Sequence, residues 1–122
     1  MPARPARLIA PMFEYTATLL AIVDGDTLKL DVDLGFRMHA KEVFRLARIN
    51  CPELLSLEGM QARTFVAETL AKAIALKVQT SRSEKYGRWL AELSFQTRET
   101  GAQWHNLNTL LLTSGHAKPF KH

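Results

Sequence analysis

The sequence predicts a mostly β domain, a β-barrel with helices: a five-stranded barrel of OB-fold type in the order β-β-β-α-β-β-α. Three observations predict it. Residues Thr27 to Leu34 alternate strictly, with Leu28, Leu30, Val32 and Leu34 on one face and Lys29, Asp31 and Asp33 on the other. From about Leu57 to Ala75 the apolar spacing changes to three and four residues. Runs rich in β-branched and apolar residues flank that helical stretch, bounded by turns that carry Gly or Pro. Other α+β sheets share this element order, so it favours the barrel without excluding them.

Taken in order, Glu14 to Val23 (EYTATLLAIV) reads as the first strand. Thr27 to Leu34 is the second, and Gly35 ends it. Lys41 to Ile49 (KEVFRLARI) is the third, with Phe44 and Leu46 on one face and Arg45, Ala47 and Ile49 on the other. Pro52 closes it. The long helix places Met60, Phe65, Val66, Thr69, Leu70 and Ile74 at helical spacing. Leu76 to Thr80 is a fourth strand and Trp89 to Thr97 a fifth. Trp104 to Gly115 is a second helix with Gly115 as its stop. Trp89 and Trp104 read as packing residues.

A chain of 122 residues suits one domain, and 47% apolar residues supply its core. That domain is expected over residues 13–122, with residues 1–12 as a flexible arm. Lys and Arg number 16 against 12 Asp and Glu, a formal +4 that suits an anionic partner such as nucleic acid. No apolar run approaches the ~20 residues of a membrane span. Pro11 interrupts the apolar N-terminal stretch, so no signal peptide is recognised. The single Cys51 allows no intrachain disulfide, which fits a reducing compartment and makes the cytoplasm the favoured location. The four histidines lack ligand spacing, which argues against zinc.

Four stretches carry candidate chemistry. In "IVDGDTLKL" the acids Asp24 and Asp26 flank Gly25 between two strands, a hairpin signal in its own right. They do not make an EF-hand: counting from Asp24, the twelfth position is Gly35, where a glutamate is needed. Arg45 sits inside an apolar strand, where a guanidinium is costly unless a carboxylate or phosphate pairs with it. Arg48 has the opposite facing and reads as a surface or strand-end residue. In "NCPEL" Asn50 and Glu53 project from the end of a strand. In "EKYGRW" Lys85, Tyr86 and Arg88 crowd a tight turn.

In this order the motifs DGDT (24–27), FRL (44–46), N-x-P-E (50–53) and KYGR (85–88) resemble those of the staphylococcal nuclease (thermonuclease) family, over residues from about Tyr15 to Lys118. The resemblance implies an OB barrel. It also implies a calcium-dependent phosphodiesterase that cuts DNA and RNA with little sequence preference; a monomer is expected. By position, Asp26 and Asn50 match metal ligands, as does the Cys51 backbone carbonyl. Asp24 matches a supporting acid, and Thr27 a residue beside the metal's water shell. Glu53 matches the general base, Arg45 and Arg88 the arginines on the scissile phosphate, and Lys85 and Tyr86 the nucleotide-binding pair.

The chain also departs from that pattern. Asn50 stands where the family has aspartate, which removes one negative charge and implies weaker calcium binding. The tail keeps Gly-x-Ala-Lys (115–118) but lacks the tyrosines that follow, with Phe120 as the one aromatic nearby. The loop after Glu53 is short, and the family's last helix has no counterpart. The alternative to an enzyme is a module of the same fold that binds nucleic acid with weak or no catalysis.

Overall fold

The computed structural model describes residues 13–83 and 87–121, the side chains of 81–83 excepted. The expected arm over residues 1–12 lies outside them. β1 (Phe13–Asp24), β2 (Thr27–Gly35) and β3 (Met38–Leu46) form an antiparallel meander. The alternation in β2 dictates its facing: Leu28, Leu30 and Val32 are buried, while Lys29 and Asp33 are exposed. A two-residue strand, β4 (Ile49–Asn50), precedes helix α1 (Leu57–Ala71). Then come β5 (Ala73–Ser83), β6 (Trp89–Thr97), the short β7 (His105–Asn106), α2 (Leu107–Thr113) and the short β8 (Lys118–Pro119).

The main sheet runs β3-β2-β1-β5-β6-β7, and an added β3–β6 pairing closes its first five strands on themselves. That closing pair is parallel, from Phe44 opposite Trp89 to Leu46 opposite Ala91. The result is a closed five-stranded mixed barrel with two helices, the OB-like architecture expected from the element order. Closure covers the β3 edge only over Phe44–Leu46, and the Met38–Val43 part of β3 has no second strand beside it. The barrel core holds Leu28, Leu30, Leu46, Val78 and Leu93 at 0% exposure. Burying a leucine or valine contributes about 1.5–3 kcal/mol relative to leaving it exposed.

α1 begins at Ser56, whose Oγ accepts from the Gly59 N–H at 2.9 Å. Its buried stripe is Gly59, Ala62, Val66 and Leu70. The helix ends four residues earlier than the apolar spacing suggests, so Ile74 lies on β5 and is 58% exposed. No Gly or Pro marks this end. It is set by ladder pairing, since Ala73 opposes Thr97 and the rest of β5 runs between β1 and β6. Met60, expected on the apolar face, is 50% exposed, one position beyond Gly59 at the start of the buried stripe.

The third strand also differs. It stops at Leu46 because Arg48 takes a left-handed φ of 71°, and the chain turns before β4. Ala47 and Ile49 therefore do not continue the face of Arg45. α2 starts three residues later than expected, capped by Asn106, whose Oδ1 accepts from Thr109 N–H at 2.8 Å. Its end is as expected: Gly115 has φ 84°, and His116 and Gly115 N–H groups bond back to Leu111 and Leu112 carbonyls. Trp104 is 38% exposed outside the helix, with the Lys77 ammonium 4.5 Å from its ring.

Candidate nucleic-acid processing site

The site begins at the β1–β2 turn. Asp24 Oδ1 accepts from the Asp26 N–H at 3.1 Å, the local bond that makes Asp a turn former. Gly25 is required for a different reason than the usual one. It is not among the glycines with positive φ. A Cβ there would lie 2.9 Å from both Ala62 Cβ and Cys51 Sγ. The turn is tucked under α1, and only hydrogen fits.

That packing buries Asp26 to 7% exposure and Thr27 to 3%. Asp26 Oδ2 accepts from the Cys51 N–H at 2.9 Å, and its Oδ1 accepts from Thr27 Oγ1 at 3.1 Å. Arg45 approaches the same carboxylate, with Nη2 3.7 Å from Oδ2. Burial is the largest influence on the Asp26 carboxyl and pushes it up. The bonds from Asp24 and the Cys51 N–H, then the Arg45 charge and Thr27, together outweigh it and hold Asp26 below the usual carboxylate range. Asp24 goes the other way, pushed up to about 6 by burial first and by its bond and repulsion with Asp26 second. One turn thus holds one firmly ionised acid and one that keeps its proton longer.

Arg45 lies on the face of β3 opposite Phe44 and Leu46, yet it is only 8% exposed. The turn after β3 wraps over it. Its Nη1 donates to the Leu46 and Ile49 carbonyls, both at 3.1 Å, and Nη2 donates to Asn50 Oδ1 at 3.0 Å. The sequence expectation that this guanidinium needs an anionic partner is met in part by Asp26 and in larger part by carbonyl and amide oxygens. The tail helps to cover it. β8 pairs with β4, setting Lys118 opposite Asn50, and the Phe120 ring lies 5.4 Å from the Arg45 guanidinium.

Arg88 reaches the cluster from the start of β6, its Nη1 donating to Thr27 Oγ1 at 3.4 Å. Asp24, Asp26, Thr27, Arg45, Asn50, Cys51 and Arg88 are therefore linked by direct contacts, although four separate parts of the chain supply them. Glu53 stands near by sequence, exposed in the turn before α1, where its backbone carbonyl accepts from Ser56. Lys85 and Tyr86 lie outside the described residues. Burial first, then the charges of Asp26 and Asp24, push the Cys51 thiol up to about 12, so it is an inert packing group.

Two supports were not legible in the sequence. Arg48 forms a two-pronged pair with Glu92, at 2.6 and 2.8 Å, which fixes the turn beyond Arg45. It is exposed at a strand end, as its facing suggested. Asn108, at 0% exposure inside α2, donates to the Ala47 and Ala91 carbonyls and accepts from the Leu93 N–H. Its only sequence signal is an asparagine within an apolar helix.

Among the described residues no three His, Cys, Asp or Glu side chains cluster as a self-sufficient metal site. The side-chain oxygens gathered are two carboxylates and the Asn50 amide. All are hard donors of the type that calcium takes, and the ionised Asp26 supplies charge at their centre. Neither the family models nor the curated proteins compared with this chain gave a match.

Proposed function

We propose that the chain is a calcium-dependent nuclease of the thermonuclease type, hydrolysing phosphodiester bonds of DNA or RNA with little sequence preference. The observation that carries this reading is the joining of Asp26, Arg45, Asn50 and Arg88 in one contact network at one end of the barrel. Attack of water on a phosphodiester builds negative charge on the phosphoryl oxygens. Two guanidiniums offset that charge most where it is greatest, in the transition state. Arg45 is held rigidly by its bonds to Leu46, Ile49 and Asn50, so it needs little reorganisation. Its Nη donors are engaged within the protein, so it acts mainly through its charge and Nε–H. Arg88 is half-buried and brings the second guanidinium to the cluster. Glu53, exposed in the turn before α1, takes the proton of the attacking water.

Asp26, Asn50 and the Cys51 carbonyl would hold the calcium ion, with Asp24 in support and Thr27 beside its water shell. When bound, the ion supplies Lewis-acid stabilisation of the phosphate oxygens. Lys85 and Tyr86 would grip the nucleotide. The test is cleavage of plasmid DNA and RNA across a calcium series, with magnesium, manganese and EDTA arms, for wild type and Asn50→Asp. Calcium-dependent cleavage is expected, with the variant saturating at lower calcium. DNA and RNA left intact at every calcium concentration would end the proposal.

One observation favours a second reading, a binding module without catalysis: Asn50 Oδ1 and three Arg45 donor bonds are already used inside the protein. That reading would be preferred if Glu53→Ala and Arg45→Ala left every activity unchanged while DNA still bound.

A further inference from the structure

β3 carries a carboxylate on its core face. Glu42 alternates with Ala40 and Phe44, and the ladder sets it directly opposite Leu30, which is 0% exposed and itself faces Leu19. A charge at an inward position is a flaw in a barrel unless it has a use. Glu42 is nevertheless exposed, because the barrel opens there. The end beneath the Gly25 turn is covered by α1. The far end of the β1–β2 hairpin, beside Phe13 and Leu34, is a cup of about 290 Å³.

Four aromatic rings line this cup: Phe13, Tyr15, Phe44 and Trp89. Phe13 and Trp89 are 54% and 37% exposed, so their faces are open to a ligand. The Thr80 hydroxyl, also in the lining, is already donated to the Leu90 carbonyl. Among the described residues no cation lines the cup, and the Glu42 carboxylate makes no hydrogen bond or ion pair.

We propose that this cup binds a small organic cation, an alkylated ammonium, with the four rings as its walls and Glu42 as its counter-charge. Aromatic faces attract a cation through their quadrupoles, and alkyl groups on the nitrogen cover apolar wall at the same time. A bare metal ion would find one carboxylate where it needs several oxygens. A phosphate would be repelled by Glu42. The volume is at the small end for ligand pockets, which suits a single head group. The proposal does not depend on nuclease activity.

Choline tests it, read by Trp89 fluorescence in a Trp104→Phe background. Ligand-observed saturation-transfer NMR on the unaltered chain gives the same answer without a substitution. A saturable change is expected, with the neutral carbon isostere dimethylbutanol binding at least about tenfold more weakly. Glu42→Gln should weaken choline about five- to tenfold and leave the isostere unchanged. Trp89→Leu, followed by NMR, should remove the saturation-transfer signal. The proposal is overturned if choline gives no saturable response, if the isostere binds equally well, if Glu42→Gln has no effect, or if thymidine displaces choline.

Discussion

The two turns of the β1–β2–β3 meander start alike and end as opposites. In each, an aspartate Oδ1 accepts a backbone N–H two residues on: Asp24 from Asp26 at 3.1 Å, Asp33 from Gly35 at 2.8 Å. The first turn then disappears under α1, and its acids meet Cys51 and Arg45. The second stands in solvent, with Phe36 97% exposed and both Phe36 and Arg37 in the left-handed region, at φ 54° and 64°. The backbone strain lies in the turn without glycine at its centre, while the glycine that reads as a turn residue is there for space. Local sequence makes both turns, and only tertiary cover makes one of them a site.

The largest expected effect that tests this contrast is Asp26→Ala. It strips the Cys51 N–H and the Arg45 guanidinium of a buried partner, and should cost about 3 kcal/mol in urea denaturation. Asp33→Ala at the exposed turn should cost well under half of that, since water replaces the lost acceptor. Equal losses would mean that burial at Asp26 has no energetic consequence.

Glycine substitutions should separate the turns next. Gly25→Ala forces a methyl against Ala62 and Cys51, an overpacking expected to cost about 2 kcal/mol. Gly35→Ala meets nothing within 4 Å but must hold φ 86°, and about 1 kcal/mol is expected. A reversed order in the two denaturation midpoints would refute the close approach of α1.

The exposed turn should also be improvable. Replacing Phe36 and Arg37 with Asn and Gly puts residues that tolerate positive φ at both central positions, and should stabilise the fold by about 1 kcal/mol. A loss of stability would show that Phe36 packs against something.

The smallest effect is the most specific. Asp24 binds its proton more tightly folded, near pH 6, than unfolded, where its ordinary value is 3.8. Its ionisation therefore opposes folding: the penalty is absent below 3.8, grows between the two values and is complete above about 6. Asp24→Asn cannot ionise and keeps the acceptor for the Asp26 N–H. Its urea midpoint should exceed that of wild type at about pH 8, and the gap should close by about pH 4. A gap independent of pH would contradict the raised value.

How much of this was legible follows from where each constraint acts. The β2 alternation and the Gly115 stop are local patterns, and both read correctly. The end of α1 at Ala71 was not legible, because pairing with β6 decides it against good local helix formers. Arg48 carries no sign of its left-handed turn, which is held by Glu92 far along the chain. At the site, Asp26, Arg45, Asn50 and Arg88 were marked by motif order. The covering of Arg45 by its own turn and by Phe120 was not, since it depends on a tail that pairs with β4. Glu42 looked like an ordinary strand residue until the register put it on the inner face.

The most direct test of the proposed chemistry is cleavage of a single-stranded DNA oligonucleotide in calcium by wild type and by the Arg45→Ala/Arg88→Ala double variant. Far-ultraviolet circular dichroism confirms that the variant is folded. Wild type is expected to cleave, and the folded variant to be slower by about a thousandfold or more, the scale of losing charge stabilisation in the transition state. Equal rates for the two folded proteins, or no cleavage by either, would contradict the assignment of this site to phosphodiester hydrolysis.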